Sequence, residues 1–383
     1  MAGKRKRFAQ RRKACGYSQE ALAEALQVDR TTVQRWERGV GDPHPRQRPL
    51  LAKLLHVELE ELDDLLAPDI SVDLPTVDRE RGDGFACAIR HMSQQLIMLD
   101  NELNGLPIAE IAARSFKKVH RRLGNGDYDR KAEHEIQSAA AELAEIAGWA
   151  LFNEGKFNAS RRFNQEALFL AKLACDRSTE LITLQNMGML AGWSGRPREE
   201  LAIAQSVIER ERMSPRVEAM FRAREGQGLA GTGHHREAAR SFGRARSLLL
   251  DNGPDSEPPW VWWVSDQEID RQQGRSLHET GDLHAAIPVL ERAMHHQEGS
   301  QVGYRSVAAV RLLDSLLRVR SWQTAEVEAR NLVPAVNEMS SVITLEILTK
   351  VAGRGRAAPG APSSLRDTLE QIESIATEDP YDF

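Results

Sequence analysis

Residues 18–39 read SQEALAEALQVDRTTVQRWERG, and this stretch decides how the amino-terminal part of the chain folds. Ser18 is placed to cap a helix carrying Ala21, Leu22, Ala23, Ala25 and Leu26, since a serine hydroxyl can accept from a free N–H of the first turn. A turn is expected at Gln27-Val28. Asp29 is placed to cap a second helix, Arg30 to Arg38, and Gly39 to end it. Ala23 is small where the two helices must approach. Val28, Val33 and Trp36 are expected to bury against Leu22 and Leu26. That leaves Arg30, Thr31, Thr32, Gln34 and Arg35 polar on the second helix. A face of Arg, Thr and Gln carries the donors and acceptors that base edges in a major groove require.

Gln19, Ala23, Val28, Val33 and the run Trp36-Glu37-Arg38-Gly39 resemble the XRE family, the lambda/Cro-type helix-turn-helix regulators, over about residues 6–67. One position departs. Gln27 stands where the family usually has Gly, and a non-Gly residue in a left-handed turn costs roughly 1 kcal/mol. Flanking helices are expected over Lys6 to Ala14, ended by Gly16, and over Arg48 to Leu55 and Glu58 to Leu66. Residues 1–66 then make a five-helix head.

The resemblance implies that Arg30, Thr31 and Arg35 face bases, with Gln34 beside them. Arg suits the O6/N7 edge of guanine and Thr31 a thymine methyl. It also implies a phosphate contact for Gln19 at the start of its helix. Lys4 and Arg5, with Lys6 and Arg7, are expected to track phosphate or enter a minor groove. Arg46 and Arg48 follow the recognition helix and are expected to reach phosphate. Arg12 and Glu37 are expected to pair across helices one and three, and Trp36 to be core.

Charge divides the chain in the same place. Residues 1–56 hold 13 Lys and Arg against 5 Asp and Glu, a surplus of +8, and the remainder holds 38 against 51, a balance of −13. A basic head on an acidic body suits DNA binding by the head alone. No stretch approaches the roughly 20 apolar residues of a membrane span. No apolar run follows the basic MAGKRKRFAQRRK, so no signal peptide is expected. Cys15, Cys87 and Cys175 lie far apart, without disulfide or zinc spacing. Neither a metal nor a cofactor is expected.

Residues 67–83, APDISVDLPTVDRERGD, read as a linker. Beyond them the pattern is helical. Phe85 to Leu103 and Ile108 to Leu123 form an irregular pair. Then Gly148 and Gly155, Gly188 and Gly195, Gly226 and Gly233, and Gly274 and Gly281 each stand seven apart. Small residues recur after each second glycine, at Ser160 and Ala167, Ala238 and Ala245, and Ala286 and Ala293. The second unit departs with Glu200 and Val207. A fifth unit has Leu313 and Arg320 in the glycine places but keeps Ala325. This resembles the tetratricopeptide (TPR) repeat, in which the first Gly lets two helices touch and the second makes the turn. Repeat starts are 40, 38 and 48 residues apart, longer than the usual period of about 34. The fold class is therefore all-α: a five-helix lambda-repressor-like head followed by a TPR-like α-solenoid over 84–350, with 351–383 a flexible spacer, a short helix and a tail.

The resemblance implies an inner face bearing Glu145, Trp149, Asn153, Gln185, Met189, Trp193, Gln227, Arg271, Arg275, Glu279, Asp314 and Arg318. Of these, Trp149, Asn153, Gln185, Met189, Gln227, Arg271, Arg275 and Arg318 are the candidate ligand groove. Amides can grip a peptide backbone and Arg a carboxylate. Trp260, Trp262 and Trp263 are expected to pack between units. The pairs His234-His235 and His295-His296 are expected at the surface.

The domain order resembles peptide-sensing helix-turn-helix/TPR regulators of Gram-positive bacteria. The expectation is a cytoplasmic, non-enzymatic transcriptional regulator, nucleoid-associated when DNA-bound. It would be a homodimer on a double-stranded operator, with a peptide, protein or small-molecule ligand and no membrane partner. A protein-interaction scaffold with a vestigial head, and a ligandless regulator whose repeats only dimerise, stay open. An enzyme would need a catalytic constellation, and none is found.

Overall fold

The structure is a computed structural model of the 383-residue chain. It describes residues 5–26, 28–38, 43, 47–57, 62, 65–66, 83–102, 108–210, 212–250, 257–294, 302–339 and 341–377. The chain divides into two compact units, Met1–Thr76 and Val77–Phe383. Among the described residues there is no strand.

The head holds α1 (Lys6–Ala14), α2 (Gln19–Leu26), α3 (Arg30–Glu37) and α4 (Arg48–Leu55). Ser18 Oγ accepts from the Ala21 N–H at 3.0 Å and so starts α2. Asp29 occupies the N-cap of α3, but its side chain makes no capping bond. Helix α3 ends at Glu37 with Arg38 as its C-cap, one residue earlier than the sequence pattern suggests. Gln27, Gly39, Lys4 and Arg46 lie outside the described residues. Of the expected fifth helix, Leu62, Leu65 and Leu66 are described and helical.

The core of the head gathers Phe8, Leu22, Val33, Leu51, Leu55 and Leu62, all fully buried, with Ala23 and Trp36 beside them. Each large apolar side chain removed from water contributes about 1.5–3 kcal/mol. Arg11 then closes α4: its Nε donates to Leu55 O at 2.9 Å and its Nη2 to His56 O at 2.6 Å. Those two carbonyls have no partner within the helix.

The second unit begins with α5 (Asp83–Glu102) and α6 (Ile108–Asn125). Among the described residues six helix pairs follow: α7 (Glu133–Asn153) with α8 (Phe157–Leu173), α9 (Arg177–Trp193) with α10 (Pro197–Arg210), α11 (Pro215–Gly231) with α12 (His235–Leu249), α13 (Asp266–Glu279) with α14 (Leu283–Met294), α15 (Val302–Arg318) with α16 (Trp322–Leu332), and α17 (Val342–Ala357) with α18 (Ser363–Thr377). Short turns force the partners of a pair to run antiparallel. Close approach is visible at Gly274, where an added Cβ would sit 2.6 Å from a Leu290 methyl. The turn positions Gly155, Gly195, Gly233 and Gly281 have φ between +70° and +87°. In the fifth unit Arg320 takes that place at φ +61°.

One departure is explained and one expectation is corrected. Glu200, where other units have a small residue, is buried, and it fits because Gly192 opposite has no Cβ to meet its carboxylate. Residues 352–364, AGRGRAAPGAPSS, are not a flexible spacer. Helix α17 runs to Ala357, Val351 and Ala352 are buried, and a Cβ on Gly355 would lie 2.6 Å from Leu369 and 2.9 Å from Leu317. The small residues that resemble low complexity are those that let α15, α17 and α18 touch. Gly353 and Gly360 repeat the seven-residue spacing, and Gly360 has φ +84°. They belong to a sixth pair, whose Leu365, Leu369 and Ile372 are fully buried.

Candidate nucleic-acid interface

Helix α3 has one buried side, Val33 and Trp36, and one wet side. Arg30, Thr31 and Arg35 are exposed, and Thr32 and Gln34 are half-buried. The core therefore orients the helix, and the three residues expected to face bases stand in solvent. Arg30 is not free. Its Nε lies 2.8 Å from Glu20 Oε1 of α2, and both side chains are exposed. Hydrogen bonding to the backbone, together with the Arg30 and Arg12 charges, holds the Glu20 carboxyl below its usual value, so it is anionic at neutral pH. Glu20 was not singled out in the sequence. The available signal was an acid in the first turn of α2.

Behind this face Arg12 and Glu37 pair at 2.7 Å, with Arg12 buried. Arg12 Nη1 also donates to Tyr17 O at 2.5 Å. The pair ties α1 to the end of α3. Gln19 Nε2 donates to the same Glu37 carboxylate, so the amide expected on phosphate is held by a protein carboxylate here. Its helix terminus still presents backbone N–H groups.

Arg5 is a correction. It is 5 % exposed, its backbone N–H donates to Glu37 O at 2.7 Å, and its Nη1 donates to Trp36 O at 3.2 Å. It is an anchor for the end of α3 and does not track phosphate. Nothing in the sequence separated Arg5 from its basic neighbours, because its burial depends on where α3 ends. Arg48 is half-buried at the start of α4, with Nε 3.4 Å from Pro43 O.

In the second unit most of the candidate groove residues are engaged by other side chains of the unit. Arg224, itself buried, donates to Gln185 Oε1 at 3.1 Å and Gln227 Oε1 at 2.7 Å, and lies 3.5 Å from Glu200. Burial raises the Glu200 carboxyl to about 7, opposed by the Arg224 and Arg275 charges. Arg271 bonds Glu268 at 2.7 Å, and Arg275 bonds Glu279 at 2.7 Å. The Arg275 and Arg311 guanidiniums lie 4.3 and 4.8 Å from the Trp193 ring centre. Met189 is buried with Phe152, Leu190 and Ile343, and Trp149, Phe157, Trp193 and Ile347 pack on that cluster. Asn153 is half-buried and Arg318 exposed. Side chains of α17 thus occupy the apolar end of the expected groove, which the repeat pattern alone did not reveal.

Trp260 and Trp263 pack on a cluster containing Leu181, Val217 and Phe221, and Trp260 Nε1 donates to Ser178 Oγ at 3.0 Å. His234 and His235 are exposed, and His295-His296 lie outside the described residues. Among the described residues no His, Cys, Asp and Glu cluster has metal-site geometry, and no helix is long and apolar enough to cross a membrane.

The helix-turn-helix family profile matches residues 8–62. No curated protein sequence matches the chain. The matched span contains α1 to α4, the Arg12–Glu37 pair and the exposed face of α3. Residues 8–62 are a helix-turn-helix domain of the XRE type, carried on a chain whose other described residues form helical pairs.

Proposed function

We propose that this chain is a sequence-specific transcriptional regulator that binds a double-stranded DNA operator through α3. One observation carries the reading: Arg30, Thr31 and Arg35 stand exposed on a helix whose opposite side is locked into the core by Val33 and Trp36. A rigid helix with an Arg- and Thr-bearing face meets the geometric demand of major-groove readout. Gln34 is half-buried on the same helix, and Gln19, Arg48, Lys4 and Arg46 are read as further contacts to the duplex. The chain works as a homodimer on two half-sites, in the cytoplasm and on the nucleoid, and is not an enzyme.

The helical pairs are read as TPR-like units used for dimerisation and for sensing a peptide, protein or small molecule. The spacing of paired glycines and the stacking of successive pairs support this. A second reading, repeats used for assembly alone, is favoured by one observation: Gln185, Met189, Gln227 and Arg275 are buried.

Selection of bound sequences from random duplex DNA with the full chain tests the proposal. Enrichment of a two-half-site motif, with half-sites one or two helical turns apart, is the expected result. Recovery of unenriched DNA at physiological salt would remove the regulator reading and leave a scaffold. Culture extract added to the selected duplex tests sensing: a change in affinity supports it, and unchanged affinity favours assembly alone.

A further inference from the structure

We propose that the cavity where α15, α16 and α17 meet binds a small ligand bearing an oxyanion, a carboxylate or a phosphate. The cavity measures about 200 Å³ and is lined by Asp314, Arg318, Arg320, Trp322, Arg354 and Pro359, among others. That is below the roughly 300–1,000 Å³ typical of drug-sized sites, so the occupant is a charged group on a short body.

Charge selects the sign. Three guanidiniums face one carboxylate. Asp314 is buried and already receives His278 Nε2 at 2.7 Å and Arg354 Nη2 at 2.8 Å, with Arg318 Nη1 at 3.8 Å. Each guanidinium offers five N–H donors in a planar fork, more than one carboxylate can take up. The side chain of Arg320 makes no hydrogen bond or ion pair among the described residues and is exposed. Trp322, Leu317 and Pro359 supply an apolar wall for the body of the ligand.

The backbone gives an independent reason. Arg320 sits at φ +61°, in the turn position that Gly155, Gly195, Gly233 and Gly281 fill in the other units. A left-handed conformation is unfavourable for a residue with a Cβ. Residues held in such conformations cluster at ligand sites, where the strain is part of the function. Here the substitution brings a long cationic side chain to the mouth of the cavity. Arg354 belongs to α17, the helix whose Ile343 packs on Phe152, Met189 and Leu190. An occupant would tie the end of α17 to the turn between α15 and α16.

The test is calorimetric titration of the full chain, without DNA, at physiological ionic strength. The probes are inorganic phosphate, N-acetylleucine and its uncharged amide. Saturable binding of at least one anion, one per chain, with none of the amide, is expected. Arg320→Gly and Arg354→Gln should each weaken it by about tenfold or more. Binding of phosphate alone assigns a phosphorylated ligand, and binding of N-acetylleucine alone a carboxylate. Arg320→Gly restores the turn residue of the other units and should keep the fold, which circular dichroism checks. Arg354→Gln carries the test if that variant fails. No saturable binding of either anion in the millimolar range, or equal binding by parent and both variants, overturns the proposal. Either outcome leaves the DNA-binding reading untouched, because no DNA is present.

Discussion

Glu20 Oε1 on α2 holds Arg30 Nε on α3 at 2.8 Å, so the first residue of the candidate recognition helix is tethered by an acid from the helix before it. A carboxylate beside a guanidinium restricts the directions it can take and opposes approach of phosphate. Glu20→Gln should therefore raise affinity for mixed-sequence DNA more than for the selected operator, narrowing the ratio between them. Titrations across salt concentrations read this. An unchanged ratio would show that the tether has no part in selectivity.

Arg35 is exposed on the same face, and no described partner holds its side chain. Arg35→Ala should lower operator affinity by about 1–3 kcal/mol and relax preference at one base pair. Thermal stability should change by no more than about 0.5 kcal/mol, as for other exposed sites. Undiminished affinity for the selected operator would displace Arg35 from the interface.

Ile343 closes the apolar cluster of Phe152, Met189 and Leu190. Ile343→Ala should destabilise the seating of α17 by about 2–4 kcal/mol, through lost burial and the cavity left behind. Hydrogen exchange in residues 342–357 should accelerate while α11 and α12 keep their rates. Unchanged protection there would mean that α17 is held by α15 and α18 alone.

Among the described residues Glu145 has no cationic partner. Burial raises its carboxyl to about 7, against the Asn186 hydrogen bond at 2.6 Å and with help from the Glu142 charge. Its folded value exceeds the unfolded one, so the folded state binds the proton more tightly. Its contribution to stability is full at low pH and is lost as pH rises from about 4.5 to 7. Glu145→Gln should remove a decline on the order of 2 kcal/mol over that window. Urea unfolding at pH 5 and pH 8 checks it. A decline as steep in the variant as in the parent would assign the effect elsewhere.

Much of the architecture was legible because its causes are local. Ser18, Gly16 and the apolar spacing of Leu22, Leu26, Val33 and Trp36 act within a turn or two of helix, and they place α1 to α3 within a residue. The seven-residue glycine spacing works in the same way, since each turn needs a positive φ at one position. The sixth pair was missed because its Gly and Ala, needed for contact with Leu317 and Leu369, look like a spacer when those leucines are not in view. In the head, Arg30, Thr31 and Arg35 were readable as exposed, since Val33 and Trp36 fix the opposite side. The bond between Glu20 and Arg30 was not, because it depends on how α2 and α3 cross.

By itself the sequence determined the helix-turn-helix, the division of charge between head and body, and the paired-helix grammar of the rest. Caps, turns and hydrophobic period are short-range, and each acts on the few residues beside it. Tertiary structure alone decided which charges are occupied. It buried Arg5 beneath the end of α3, set Glu200 against Arg224, and seated Ile343 on Phe152 from the far end of the repeats. Arg5 and Glu200 meet partners from other helices, and the Ile343 contact depends on rotations summed over successive helix pairs, a quantity that no single repeat encodes.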